Sequence, residues 1–580
     1  MDNSDEPEDL LDGKFVFQKN KDGTFNKTKV MCTLCGKMLS FHRSNTSLKY
    51  HLNAKHALVG EGRSSAMRQT TLTEQHRPLT KSACDKLTST VAKWIAKSCR
   101  PINIVEDEGF TEVLRVATGD SSIRAPQRRT IMTKIDELYE AEKKKKENDL
   151  AATNYVALTG DHWTSVSNNN YLGVTAHLIT DGWKLKSFAL TCMKTEERHF
   201  AEAYAEQFQT VASNWAIEDK TTTIGTDSAR NMIAAARLLS YEHMPCIAHI
   251  LQRSITMSLA DSGFVNALSK CRKIVGHFKH SPANTLELNT EQENRMQVQQ
   301  PLIQDVPTRW NSTLDMVKRL IGNKDAVTAA LDQHNHKLVM LTQQEWDKLQ
   351  RLESLLDPCK YVTEILGGEA YVSCSVVLPA LCHLRHVMEV TEDDPAYVVK
   401  FKTAFKTDLA SRQKNTNNEW LKIATVLDPR LKDLKSLPKS ERPEVWTTLE
   451  RLLQEQSPRA RRAPQAAEDG PPKKKMSLLV MGSDSESEEE VQQPHRALHR
   501  YRAEPSIGME DCPLEWWSSH SGAHEQLASL ARKYLASPAS TVPCERLFSV
   551  AGHIVQKKRS ALLSENVNKL VCLTNWLKED

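Results

Sequence analysis

Four side chains near the start of this sequence have the types and spacing to close around one metal ion. Cys32-Thr-Leu-Cys35 sets two thiolates on one tight turn, and fifteen residues later His51-Leu-Asn-Ala-Lys-His56 supplies two imidazoles about one helical turn apart. Two sulfurs and two nitrogens form the ligand set of a closed tetrahedral zinc site, with no open position for a reacting group. Zinc binding, on the order of 10–16 kcal/mol, can fold a module too small to build its own core. The ordinary alternative is chance spacing with both histidines on a solvated surface; the grouping of all four ligands in one short stretch argues for zinc. That stretch is basic: residues 14–56 carry nine Lys or Arg against one Asp, whereas residues 1–12 carry six acidic side chains and no basic one. Such local charge suits a polyanionic partner.

These groups need elements to position them. Residues 1–13 read as an acidic tail and 14–58 as the zinc module, with its helix beginning near Ser44 or Thr46. Residues 59–78 read as a polar linker. A helical domain is expected over 79–150, where Leu87, Val91, Trp94 and Ile95 share a face; the run Lys143–Lys146 reads as a solvated helix end. From 155 the texture changes to short β-branched and aromatic runs, Tyr155–Leu158, Tyr171–Ile179 and Leu185–Cys192, separated by turn signals. A helix over 196–215, a fourth strand at Thr221–Gly225 and a helix from about Ala229 to Leu239 follow, so 151–257 is expected to be a mixed α/β core. Residues 258–455 read as all-helical and 456–506 as a disordered charged linker. Residues 507–580 return to helices, with Leu527, Leu530 and Tyr534 on one face and Leu563, Val567, Leu570 and Leu577 on another. The fold class is a multidomain α/β protein with a small zinc module and a large all-α insertion.

Composition excludes several classes. The chain of 580 residues is 39% apolar and 26% charged with net charge +4, which permits a sizeable core. Thirteen scattered cysteines are not a secreted disulfide framework. The opening Met-Asp-Asn-Ser-Asp-Glu does not read as a signal peptide, and no run approaches the roughly 18 apolar residues of a bilayer span. A reducing compartment, cytosol or nucleus, is expected, with no membrane partner.

Two resemblances extend this reading. Val30-Met-Cys-Thr-Leu-Cys35, Ser44-Asn-Thr-Ser-Leu-Lys-Tyr-His51 and Lys55-His56 resemble a BED-type zinc finger, with Phe15 and Phe17 in place of the aromatic pair that usually opens it. The resemblance implies a helix in the DNA major groove, with Arg43, Asn45, Ser47, Lys49 and Asn53 as base or phosphate contacts; Asn suits adenine edges and Lys or Arg guanine edges. Downstream, Leu158-Thr-Gly-Asp161-His-Trp-Thr-Ser165, Gly225-Thr-Asp227-Ser-Ala-Arg-Asn-Met232, Cys246-Ile-Ala-His249, Pro307-Thr-Arg-Trp310-Asn-Ser312 and Pro543-Cys-Glu545-Arg-Leu-Phe-Ser549-Val-Ala-Gly552 resemble, in that order, the hAT transposase superfamily. Together with the finger they resemble the zinc finger BED domain-containing protein 1 and DREF-like group. This implies an RNase H-like core interrupted by the helical insertion and completed by a C-terminal dimerisation region. It places Asp161, Asp227 and Glu545 at the positions of a carboxylate triad that holds two Mg2+ or Mn2+ ions in active members, and Trp310 at an aromatic that stacks near an exposed base. Each also has a plain structural reading. Asp161 could cap a turn, Asp227 could cap the following helix, and Glu545 could answer a helix dipole. Cys246, His249 and Trp310 could simply pack.

Three functions stay open. The first is a nuclear DNA-binding regulator of transcription or chromatin, domesticated from a transposase and acting as a homodimer. The finger, the basic clusters Arg459-Ala-Arg-Arg462 and Lys473–Lys475 as import signals, and the acidic serine run 483–490 fit it. The second is a working transposase that cuts and joins DNA. The third is an interaction scaffold whose RNase H-like fold is structural only.

Overall fold

Apolar residues alternate with polar ones through the N-terminal stretch, and the chain answers with an antiparallel meander. In the computed structural model, which describes residues 9–20, 23–56, 79–195, 200–307, 309–332, 338–456, 486–555 and 562–578, β1 (Asp9–Leu10), β2 (Phe15–Lys19), β3 (Phe25–Cys32) and β4 (Met38–Ser40) lie in sequential order. Helix α1 (Thr46–Lys55) follows, starting where expected. Phe15, Val30, Cys32 and Leu48 are fully buried and make the core of this unit, Met1–Arg77. Phe15 fills the expected aromatic position and meets the His51 ring edge-on at 6.0 Å. So small a core does not offset the ordering entropy of roughly 40 residues at about 1.5 kcal/mol each; coordination must supply the difference. The acidic tail up to residue 8, residues 57–58 and the linker 59–78 lie outside the described residues.

The second unit, Pro78–Asp580, opens with α2 (Lys81–Lys97), α3 (Glu108–Thr118) and α4 (Arg128–Ala152). The expected meander is β5 (Val156–Thr164), β6 (Asn170–Ile179) and β7 (Leu185–Thr195), followed by α5 (Ala201–Asn214), β8 (Thr221–Thr226) and α6 (Arg230–Arg237). A short strand β9 (Glu242–Pro245) joins, giving a sheet of order β7-β6-β5-β8-β9. The first three strands pair antiparallel, while β8 and β9 run parallel to β5. This is the mixed α/β core expected of an RNase H-like domain. From α7 (Ile247–Asp261) the chain is helical: α8 (Val265–Lys279), α9 (Pro282–Asn294), α10 (Trp310–Gly322), α11 (Lys324–Asp332), α12 (Gln343–Leu366), α13 (Val377–Val387), α14 (Ala396–Gln413), α15 (Asn418–Val426) and α16 (Arg442–Gln456). The chain closes with α17 (Glu486–Ala503), α18 (Pro513–His520), α19 (Glu525–Leu535), α20 (Val542–Ile554) and α21 (Ser564–Trp576).

Two apolar clusters hold this unit. One joins the sheet to α2, α4, α20 and α21, so the stretch 79–150 is not a separate domain but shares the RNase H-like core. The other joins the insertion to α17, α18 and α19. Three expectations change. Residues 457–485 of the charged linker lie outside the described residues, but α17 is ordered helix, not disordered chain. Tyr501 is fully buried and donates to Val426 O at 2.9 Å. Lys432, itself buried, donates to Tyr501 O at 2.8 Å and to Glu504 O. The run Lys143–Lys146 is only half solvated: Lys144 and Lys145 are exposed, but Lys146 Nζ lies 5.0 Å over the Phe188 ring and Lys143 Nζ 5.5 Å over Trp215. Finally, the apolar faces of α19 and α21 are consumed within the chain, because Leu527, Leu530, Tyr534, Val567, Leu570 and Leu577 are all buried; Leu563 alone of those named stands exposed.

Candidate metal centres and nucleic-acid interface

The four N-terminal ligands meet. A hairpin knuckle, closed by Cys32 N donating to Lys37 O at 3.0 Å and Gly36 N donating to Cys32 O at 2.8 Å, presents the two thiols. Helix α1 presents His51 and, at its end, His56. All four ligand atoms lie within 4.8 Å of one another. Cys32 Sγ is 3.6 Å from His56 Nε2, Cys35 Sγ 3.3 Å from His51 Nε2, and the two Nε2 atoms are 3.3 Å apart. Bonds of about 2.3 Å to sulfur and 2.0–2.1 Å to nitrogen in a tetrahedron require edges of about 3.6 Å and 3.3 Å. The quartet therefore fits zinc. Burial first, and then His56, Lys37 and Lys55, hold His51 below the usual imidazole range, in the neutral form a metal needs.

The face of α1 away from the metal is open. Arg43, Asn45, Ser47, Lys49 and Asn53 are all exposed, and Asn45, although at the helix N-cap, makes no side-chain capping bond. The expected DNA contacts are thus accessible, Arg43 and Asn45 in the approach to α1 and Ser47, Lys49 and Asn53 on it. Tyr50, 76% exposed beside Lys49, was not singled out from sequence; an aromatic at an outward helical position was the available signal.

The three carboxylates converge at one end of the sheet. The register pairs Thr159 with Gly225, and Asp161 and Asp227 follow two residues further along these neighbouring chains, close enough for Asp227 to act electrostatically on Asp161. Asp227 is no helix N-cap, since Ala229 holds that position; its Oδ1 accepts from Ala229 N at 3.1 Å and turns the chain into α6. Glu545 arrives on the first turn of α20. Close packing brings that helix in. A Cβ on Gly173, the partner of Asp161 across β5–β6, would lie 2.7 Å from Phe548 of α20, and one on Gly160 would lie 2.2 Å from Phe208. Beneath, the Cys544 thiol donates to Thr159 O at 3.4 Å.

Cys246 and His249 complete the surroundings. Cys246 N donates to Thr226 O at 2.8 Å and its Sγ accepts from Thr541 N at 3.2 Å, so this one residue joins β8, α7 and the approach to α20. His249 Nε2 lies 3.8 Å from Glu545 Oε1. Burial alone would lower its pKa; Cys246, Asp161 and Glu545 override that and raise it to about 10. Burial, offset in part by His249 and reinforced by Asp227 and Glu545, pushes Asp161 up to about 7. Repelling carboxylates with oxygen donors form a set suited to Mg2+ or Mn2+. They do not gather as tightly as the zinc ligands, which among the described residues are the one group of three or more within 4.8 Å.

Trp310 does not join either site. It is 2% exposed within the insertion core, with its N–H backbone facing Gln252 Oε1 at 3.4 Å. A ring packed on Leu and Val neighbours offers no face to a base, so its expected stacking role is not supported by this structure.

Comparison with known proteins agrees with this architecture. Residues 159–249 match the ZBED1 RNase-like domain, 244–355 the ZBED1 RNase-like helical domain, and 497–577 the hAT family C-terminal dimerisation region. The chain is similar to "Putative AC transposase" of Zea mays, 25% identical over 82% of this chain and 63% of that protein. It is also similar to human "Zinc finger BED domain-containing protein 4", 23% identical over 94% of this chain and 50% of that protein. A third relative is "Putative transcriptional regulator tpeD" of Talaromyces stipitatus, 22% identical over 94% of this chain and 70% of that protein. The chain thus spans under two thirds of the maize relative's length and half of the human one's. Among the described residues no helix is long and apolar enough to cross a membrane.

Proposed function

Starting from a chain built of hAT-type RNase-like and dimerisation regions, we propose that this protein is a zinc-dependent, sequence-specific DNA-binding regulator, domesticated from a hAT transposase and acting as a nuclear homodimer. The observation that carries this reading is the metal quartet, set in a basic module that leaves Arg43, Asn45, Ser47, Lys49 and Asn53 exposed. Zinc is its structural cofactor and double-stranded DNA its partner; chromatin or transcription proteins would be engaged by the body. Relatives named as BED zinc finger proteins and as a transcriptional regulator support it. Dimerisation through the C-terminal region would let two fingers hold one duplex and raise the effective affinity. The test is selection of duplexes from a random pool by the full chain, against a Cys35→Ser control. Enrichment of one motif by the parent only is expected; equal enrichment by both, or none, removes the reading.

A second reading, retained transposase chemistry, is favoured by the meeting of Asp161, Asp227 and Glu545 at one sheet end. Divalent metal there would activate a water or 3′-hydroxyl and stabilise a leaving oxygen. The chain's own part is to hold three carboxylates on β5, the β8–α6 turn and α20, and to set His249 against Glu545. Metal-dependent nicking of DNA that disappears in Asp161→Asn would establish it, and inertness of the metal-loaded parent would end it.

A further inference from the structure

Beside the carboxylates, Arg237 of the core and Lys414 of the insertion line one cleft of about 550 Å3, and neither has an ion-pair partner among the described residues. Arg237 ends α6 of the RNase H-like core, and Lys414 directly follows α14 of the insertion. Ser228, the residue after Asp227, lines the same cleft. His243 lines it too, bonded to Thr226 at 2.8 Å and lying within the electrostatic reach of both Arg237 and Asp227. His243 and Ser228 thus place the cleft next to Asp227. Glu242 is the sole acid among the lining residues, and it accepts from Asn417 Nδ2 at 2.7 Å. Arg412 is matched by Asp408, to which it donates twice, at 2.6 and 3.1 Å. What remains are two cations in one cleft with the amide and hydroxyl donors Asn415, Thr416 and Ser228, a set that complements phosphodiester oxygens. A volume of about 550 Å3 admits a short length of one strand.

We propose that this cleft grips the sugar-phosphate backbone of a single nucleic-acid strand next to the carboxylate trio, with Arg237 supplied by the core and Lys414 by the insertion. The inference rests on reading the body as a DNA-handling fold, but it does not depend on the finger. It also gives the insertion a role: it forms the second wall of a groove that the core alone lacks.

The test uses full-length chain carrying Cys35→Ser, so that the finger contributes nothing, and a fluorescent oligothymidylate as probe. Each phosphate contact on a single strand adds about 0.7 to the slope of log affinity against log salt. Loss of two contacts in Arg237→Ala/Lys414→Ala should lower that slope by about 1.4, so the advantage of the parent over the variant should shrink about sevenfold between 50 and 200 mM salt. Arg237→Lys/Lys414→Arg, which keeps both charges, should retain the slope. Lys273→Ala/Lys279→Ala, which removes two exposed charges of α8 instead, should also leave it unchanged. Binding that is absent in the Cys35→Ser background, unchanged by the cleft variant, or equally weakened by the α8 variant would overturn the proposal. Loss of duplex selectivity in the parent would instead count against the finger-based function alone.

Discussion

His177 is the titratable group whose burial should be most visible in solution. It sits on β6 at 3% exposure, with its Nε2 2.9 Å from Thr175 Oγ1 and 3.2 Å from Thr159 Oγ1, and those two hydroxyls bond each other. The titratable neighbours are Cys544, whose thiol burial pushes up to about 12, and, across a small cavity, Glu369, which is paired with Arg546, and Tyr371, whose phenol burial pushes up. None supplies a counter-charge, and burial depresses the His177 pKa from 6.5 to about 3. The sign follows. Below pH 6.5 the unfolded chain takes up a proton that the native chain refuses, so stability is complete above pH 6.5 and is lost progressively as pH falls toward 3. At pH 5 the unfolded histidine is favoured about thirtyfold by protonation, a loss of about 2 kcal/mol. All eleven tryptophans lie at position 94 or beyond, so their fluorescence during denaturant unfolding reports on the second unit alone. Between pH 7.5 and 5.0 the parent should lose about 2 kcal/mol more than His177→Asn, which keeps a polar side chain that does not titrate. Parallel profiles for the two proteins would refute a neutral buried His177.

Other outcomes follow from the same geometry. Chelation, or Cys35→Ser, should remove one equivalent of zinc per chain and erase amide protection across residues 9–56 while leaving the tryptophan signal intact; a finger that stays protected without metal would contradict the small-core argument. Gly173→Ala forces a methyl toward Phe548 and should cost about 1–3 kcal/mol, with faster hydrogen exchange in α20; a neutral effect would mean that the helix is not seated on the sheet as described. Lys432→Met strips a donor from the carbonyls of Tyr501 and Glu504 and should cost about 1–3 kcal/mol, seen as faster exchange at the end of α17. Unaltered exchange there would show that the ammonium does not anchor the helix.

Much of the fold was legible because the relevant signals are local. The knuckle and paired histidines specify their own geometry, and the alternating runs of β5, β6 and β7 announce strands flanked by turn residues. The carboxylates were legible only as a resemblance in motif order; nothing in the local sequence says that residue 545 returns to residue 161. What seats the helix of residue 545 against the strand pair of residue 161 is the absence of a Cβ at Gly173 and the fit of Phe548 there, a tertiary fact. Strand β9 went unread because four residues carry too little periodicity, with only Met244 and Pro245 buried. Helix α17 went unread because its acidic and basic composition resembles solvated linker, while its anchorage through Leu498 and Tyr501 depends on partners from α15 and α16. Trp310 illustrates the opposite error: a motif match outweighed the ordinary fate of a large indole. The cleft between Arg237 and Lys414 was invisible because those residues are distant in sequence and join only when the insertion folds back on the core.

The return of the C-terminal helices has a practical corollary. Asp161 and Asp227 precede α16, whereas Glu545 follows α17, and the later helices are embedded in both apolar clusters. A chain severed between Gln456 and Glu486 would therefore fall into two pieces, each missing part of the trio but each carrying the surface that the other needs. Co-expressed, such halves should reassociate without a covalent link, which makes the body a candidate for split-protein complementation in which only the reunited pair can assemble all three carboxylates.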